Sequence, residues 1–288
     1  MCKKMFAPRY IQRQSRDVKR TIPSSMLFLL LLPVILVFGC ASVDPSYASS
    51  SLNATEIVSQ YPESREPLKL VDITKARYTD IPVSENSNDV LVIVHPAYSV
   101  FFRDKDKEHY TNAKYNLLKK QFDNEAVLIS SQAALGRTVV LVIPGNYPAD
   151  SRAPLSYVSY LNSISSGEKQ IYYVLSETSG SGTLAMNDMV SLYGFLQSQK
   201  VNKVMIGGGY IGRCQREFYN QLTTYMDKTV AYIVPELSTI SPDDVSEGEA
   251  MNIFNGLQRQ DYSLVKAFID KKTGGKANTL SISQKTKL

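Results

Sequence analysis

From residue 89 onward the chain alternates between short, near-continuous apolar runs and longer mixed segments. The runs VLVIVHP (90–96), TVVLVIPG (138–145), IYYVLSE (171–177), KVMIGG (203–208) and TVAYIVPE (229–236) lack the every-other-residue polarity of a half-exposed strand. They predict strands covered on both faces. Helical segments are expected between them. Residues 107–134 are long and mixed, 154–165 carry an apolar face through Leu155, Val158 and Leu161, and 184–199 bury Met186, Met189, Val190, Tyr193 and Leu196 behind Thr183 as N-cap. Residues 213–226 follow a glycine cluster, 242–256 open with Asp243 and Asp244 beside a positive helix end, and 261–272 finish before Gly274. LKLVDI (68–73) adds an edge strand. Strict alternation of strand and helix predicts an α/β domain: a three-layer, doubly wound, mostly parallel sheet of five to six strands with helices on both faces. That single domain is expected over 67–272, with a polar C-terminal tail over 273–288.

Upstream of the domain the pattern changes twice. Residues 1–25 hold Lys3, Lys4, Arg9, Arg13, Arg16, Lys19 and Arg20 against one acid, Asp17, and lead into the apolar run MLFLLLLPVILVF (26–38). This run is the length of a signal-peptide core and shorter than the roughly 20 residues of a membrane-spanning helix. It ends in VFGC, residues 37–40, with an aliphatic residue three before the cysteine and a small one directly before it. The stretch resembles the lipobox of bacterial lipoproteins. The resemblance implies a signal peptide over 1–39, lipidation of Cys40, and a lipidated N-terminus with a flexible tether over 40–66. Ala41 and Ser42, rather than aspartate, follow the cysteine, which under the family's sorting rule implies an outer-membrane anchor with the domain facing the periplasm.

Charge is reinterpreted once the signal is set aside. The chain has 32 basic and 27 acidic residues, a net +5. Removing the seven bases and one acid of the first 39 residues leaves 25 against 26, a net −1. The positive charge belongs to targeting, so no nucleic-acid partner is expected. Of the three cysteines, Cys2 leaves with the signal and Cys40 is acylated, so Cys214 is the one thiol of the mature chain and no internal disulfide forms. With only His95 and His109 and no clustered cysteines, no metal site is expected, and no cofactor. Oligomeric state has no signature in the sequence.

In a parallel sheet, ligands bind at the carboxyl ends of the strands. Those ends carry His95 with Pro96, the loop 145–152, the loop ETSGSGT (177–183), the turn GGGYIGRC (207–214), and Pro235 with Glu236. Three chemistries compete there. Gly207, Gly209 and Gly212 spell GxGxxG between a strand and a helix, the local context of a dinucleotide turn, but the nearest later acidic strand end, Glu236, is too far along the chain for the usual ribose contact. Ser179 and Ser181 precede a helix N-terminus and offer an anion site, and Gly208, Gly209, Gly212 and Arg213 offer ligand contacts. Cys214 begins a helix, where the positive end lowers a thiol pKa.

The span from Met186 to Thr239 resembles the C-terminal half of the isochorismatase-like cysteine hydrolases: an amphipathic helix, a strand ending in glycine, and six residues from Gly208 to a cysteine that starts a helix. VLVIVHPAYSVFF resembles that family's first strand. The resemblance implies a thiol nucleophile at Cys214, a carboxylate base and a lysine. This chain has His95 at the position of the carboxylate and no lysine around 174–177. Two readings follow. In one, the triad is lost and the domain is a binding or interaction module of the envelope, taking an envelope protein or a small molecule at the strand-end crevice. In the other, Cys214 and His95 form a catalytic pair that hydrolyses an amide or ester, with backbone N–H groups between Gly209 and Arg213 as oxyanion donors.

Overall fold

The computed structural model describes residues 54–76, 81, 88–103, 110–145, 155–165 and 171–282. The chain divides into two compact units, Met1–Ser46 and Tyr47–Leu288, and every described residue belongs to the second. Both hydrophobic cores described below lie in that unit, so it has what an independently folding domain needs. The lipobox and Cys40 lie outside the described residues.

Six strands form one parallel sheet in the order β1-β4-β3-β2-β5-β6. The strands are β1 (Val71–Asp72), β2 (Asp89–Val94), β3 (Thr138–Ile143), β4 (Tyr172–Leu175), β5 (Lys203–Gly207) and β6 (Ala231–Ile233). β2 pairs with β3 on one side and β5 on the other, with Val92 opposite both Val140 and Ile206. The chain therefore winds outward from β2 through β3 and β4, then returns to add β5 and β6 on the other flank. This reversal makes a topological switch point between β2 and β5, where α/β folds open their crevice. The expected α/β architecture is what the chain adopts.

Alternate residues of the central strands point to opposite faces, and each face has its own core. Val90, Val92, Val94, Val140, Val142, Val204 and Ile206 meet α4 (Met186–Ser198) and α5 (Cys214–Tyr225). Leu91, Ile93, Val139, Leu141 and Ile143 meet α2 (Asn112–Ala134) and α3 (Ser156–Ile164). All six residues of β3 are buried, which is why these runs show no polar alternation. α6 (Glu247–Gln258) and α7 (Ser263–Thr273) follow β6, and Gly274 closes α7 in the left-handed conformation at φ 62°.

Several boundaries differ from the sequence reading. Residues 54–66, read as tether, are part of the domain. The short helix α1 (Thr55–Val58) buries Ile57, Ala54 is buried before it, and Tyr61 packs edge-on against Phe101, Phe122 and Tyr160. Isolated apolar residues in a polar stretch give no periodicity, so this anchoring was invisible. The C-terminal tail also joins the fold: Ile233 N–H donates to Asn278 O and Leu280 N–H to Ile233 O, extending the edge beside β6. The helix expected to open at Pro242 begins later. Pro242–Asp244 form a single 3₁₀ turn, and α6 starts with a capping box in which Ser246 and Glu249 satisfy each other's backbone N–H groups. Asp244 instead pairs with Arg213 at 2.8 Å and Lys272 at 3.6 Å. Thr183 does not cap α4; Ala185 holds that position without a side-chain bond.

Candidate functional site

The carboxyl ends of the central strands bring together His95 after β2, Gly145 after β3, Ser176 after β4, the glycine turn after β5, and Cys214 at the start of α5. His95 has φ 48° and Ala97 φ 53°, a left-handed backbone that non-glycine residues adopt at a cost of about 1–2 kcal/mol each. Three bonds hold this turn in place. His95 N–H donates to Val142 O at 2.8 Å, Ala97 N–H to the Glu125 carboxylate at 2.7 Å, and Tyr157 OH to Pro96 O at 2.9 Å. Glu125 is fully enclosed on α2 and also accepts from Tyr160 OH at 3.3 Å; burial lifts its carboxyl to about 7.

The His95 imidazole is fully buried, and its Nε2 lies 2.9 Å from Ser176 Oγ. The direction of that bond follows from the serine. Ser176 has one hydroxyl proton, which it gives to Thr178 O at 2.6 Å, while its oxygen accepts Gly145 N–H at 2.9 Å. Nε2 must then be the donor, leaving Nδ1 bare and without a hydrogen-bond partner. Among the described residues no acid acts on it, and burial holds the imidazole neutral, its pKa pushed down to about 3. Tyr98 covers the ring at a centroid distance of 5.2 Å.

Cys214 is only 3% exposed. Its Sγ accepts Tyr210 N–H at 3.2 Å, and backbone N–H groups at the start of α5 favour the thiolate, yet burial outweighs them and lifts the thiol to about 11. Among the described residues, neither the imidazole nor a carboxylate is hydrogen-bonded to the sulfur. Sequence reasoning named both residues, and the fold gathers them at one end of the sheet without pairing them.

The glycine turn is filled by the protein itself. Gly208 and Gly209 have φ of 69° and 60°; a Cβ on Gly208 would overlap Val94 O, and one on Gly209 would come within 2.8 Å of Cys214 Sγ. These glycines are needed for close approach of β5 to β2 and of the turn to the thiol. Gly212 faces the Lys272 side chain, and Arg213 is taken up by Asp244. Ser181 Oγ donates to Glu217 at 2.9 Å, as does Gly182 N–H at 3.1 Å, while a Cβ at Gly182 would overlap the Cys214 carbonyl oxygen. The loop carrying Ser179 and Ser181 is thus folded down on the first turn of α5. Where Tyr98, Ser99, Gly209, Tyr210 and Thr239 meet, the described residues leave no volume that would admit water.

Three residues that sequence reading passed over do most of the joining. Ser176 ties together the ends of β2, β3 and β4. Gln215 donates through Nε2 to Gly208 O at 3.0 Å and Ser238 Oγ at 2.8 Å, locking the glycine turn to the segment after β6. Gln121 pairs with both backbone groups of Ile240, at 3.1 and 2.8 Å. Ser176 had a signal, a small polar residue at the end of an apolar run; the glutamines had none. Among the described residues, no three His, Cys, Asp or Glu side chains are grouped to hold a metal ion.

No protein-family model matches the chain, and no curated protein matches it. Solved structures with a similar arrangement include the YcaC gene product of Escherichia coli, an octameric hydrolase of unknown specificity, at 10% identity, TM-score 0.40, and 75% of this chain against 79% of that one. The MAR1 ribonuclease of Caenorhabditis elegans gives 12% identity, TM-score 0.40, and 72% against 81%. The pyrazinamidase/nicotinamidase of Streptococcus mutans gives 10%, 0.40, and 67% against 99%.

Proposed function

We propose that this chain is a bacterial envelope lipoprotein, anchored through Cys40, whose α/β domain has the isochorismatase-like arrangement without its hydrolytic chemistry and works as a binding or interaction module. One observation carries the non-hydrolytic part: the Cys214 thiol is buried and held protonated with neither imidazole nor carboxylate bonded to it. A thiol nucleophile needs a partner to take its proton and a path for substrate. Here the imidazole donates through Nε2 to Ser176, and its bare Nδ1 is not hydrogen-bonded to Sγ. The anchor reading is supported by the cationic flank, apolar core and VFGC of residues 1–40.

The cysteine-hydrolase reading has one observation in its favour, the Tyr210 N–H bonded to Sγ at the start of α5, a geometry that stabilises a thiolate once the site is opened. Iodoacetamide labelling of residues 41–288, which contain no other cysteine, separates the two. The binding-module reading expects labelling that is slow at every pH below 9 and becomes fast only on unfolding. Rapid labelling of the folded protein at pH 7, slowed in His95→Ala, would establish a working pair and remove this proposal. For the anchor, incorporation of a palmitate analogue into the full chain in a bacterial host, lost in Cys40→Ala, is the expected result.

A further inference from the structure

A cavity of about 610 Å³ lies at the opposite end of the sheet, at the amino ends of the strands. Cavities of a few hundred to about 1,000 Å³ are the size that encloses small organic ligands. Its polar wall is set by strand register. Asp89 opens β2, Lys203 stands opposite it at the start of β5, and Arg137 immediately precedes β3 on the other side. Two cations therefore flank one acid, and the cations are incompletely used. Arg137 side chain is 15% exposed; it lies 4.0 Å from Asp89, donates through one terminal nitrogen to Gln132 Oε1, and leaves its buried Nε–H without a partner. Among the described residues, Lys203 has no ion-pair partner. A buried, half-satisfied guanidinium costs stability unless something else accepts from it.

Two other charges bear on the sign of the site. The end of α2 forms part of the wall, but its last carbonyls are taken by a tight turn in which Leu135, Gly136 and Arg137 N–H groups bond back to Ser131, Ala133 and Gln132. Glu236, behind the tail, accepts Ser281 Oγ and Ile282 N–H. The remaining wall is apolar, through Leu128, Met205, Leu280 and Ile282, with Leu135 at the rim and 65% exposed.

We propose that this cavity binds a small amphiphilic anion of the fatty-acid class, its head on Arg137 and Lys203 and its chain along the apolar wall. The anion accepts from the unsatisfied Arg137 Nε–H, and burial of its methylenes against the apolar wall adds to the affinity. The site does not depend on Cys214, so either proposal survives failure of the other.

The test is isothermal titration of residues 41–288 with decanoate, alongside decyltrimethylammonium, which has the same chain and the opposite charge, and acetate, which has the charge alone. Saturable one-to-one binding of decanoate is expected, with both controls at least tenfold weaker. Arg137→Met and Lys203→Met should each weaken decanoate by about tenfold, the size of a lost charge-assisted hydrogen bond. Leu135→Asp, an exposed rim change that leaves the core untouched, should weaken it several-fold and keep the proposal testable if Arg137→Met does not fold. Absence of saturable decanoate binding, equal binding of the cationic control, or undiminished binding in Lys203→Met and Leu135→Asp would overturn the assignment. So would binding that appears only after residues 283–288 are deleted, since the cavity would then belong to the chain's own tail.

Discussion

The two ends of the sheet are built on opposite principles. At the carboxyl ends, the His95 turn, Ser176, the glycine turn and the first turn of α5 hydrogen-bond to one another, and Tyr98 and Tyr210 close the space between them. At the amino ends, Arg137 and Lys203 face a cavity of about 610 Å³, and the Arg137 Nε–H is left without a partner. The switch point is where α/β folds open a ligand crevice. In this chain that place is closed by internal bonds, with His95 Nδ1 left over inside it, while at the other end Arg137 Nε is left over beside an open cavity. Fold topology tells where a site can be built; only the inventory of satisfied and unsatisfied groups tells whether it has been.

The contrast can be broken most severely at the closed end. Gly182→Ala and Gly208→Ala force a Cβ into the Cys214 and Val94 carbonyl oxygens, and should each destabilise by about 3 kcal/mol or more in urea unfolding. Gly180→Ala, whose Cβ would meet nothing, should cost far less. A loss no larger at Gly182 than at Gly180 would show that the loop does not rest on α5.

Glu125 gives the next largest effect, and it depends on pH. Its folded pKa of about 7 lies above the usual value of 4.5, so the folded state holds the proton more tightly than the unfolded state. Stability from this group is present below pH 4.5 and is lost as pH rises toward 7, by about 3 kcal/mol in all. Glu125→Gln should therefore be more stable than wild type at pH 7.5 and lose that advantage near pH 4.5. His95 acts in the other direction. Its pKa is depressed from 6.5 to about 3, so its contribution is full above 6.5 and lost as pH falls. Thermal melts of wild type and Glu125→Gln across pH 4 to 8 separate the two slopes.

A smaller effect is expected at Ser176. Ser176→Ala leaves the buried Nε2–H of His95 and the Gly145 N–H without acceptors, a loss of about 2 kcal/mol. In contrast, Lys203→Met at the open end should change the melting temperature by only a degree or two, because that lysine has no ion-pair partner among the described residues. A large loss at Lys203 with none at Ser176 would invert the comparison.

Much of the fold was legible because parallel strands buried on both faces write themselves as unbroken apolar runs, and all five expected runs are strands. The edges were not. Ala54, Ile57 and Tyr61 hold residues 54–66 on the domain through single contacts with no period, and the pairing of Asn278 and Leu280 with Ile233 is a backbone interaction that side chains do not announce. Pro242 and the two aspartates after it imitate a helix start, while the true cap, Ser246 with Glu249, stands four residues on. For the site, the sequence named His95, Cys214 and the glycines, and the fold collects them. It could not show that the imidazole turns to Ser176, because that choice is made by a serine 81 residues away and by the backbone of Gly145 and Thr178. Nor could it show the amino-end cavity, whose charges sit at the starts of three strands distant in sequence.

The most direct test of the closed end is the ionisation of Cys214 itself. Residues 41–288 labelled with ¹³Cβ-cysteine report one resonance, whose shift against pH follows thiol to thiolate. A thiol that stays protonated through pH 9, with a midpoint near 11, is the result this account predicts. A midpoint below the free-thiol value of about 8.5, moving upward in His95→Ala, would contradict it and restore the cysteine to chemistry.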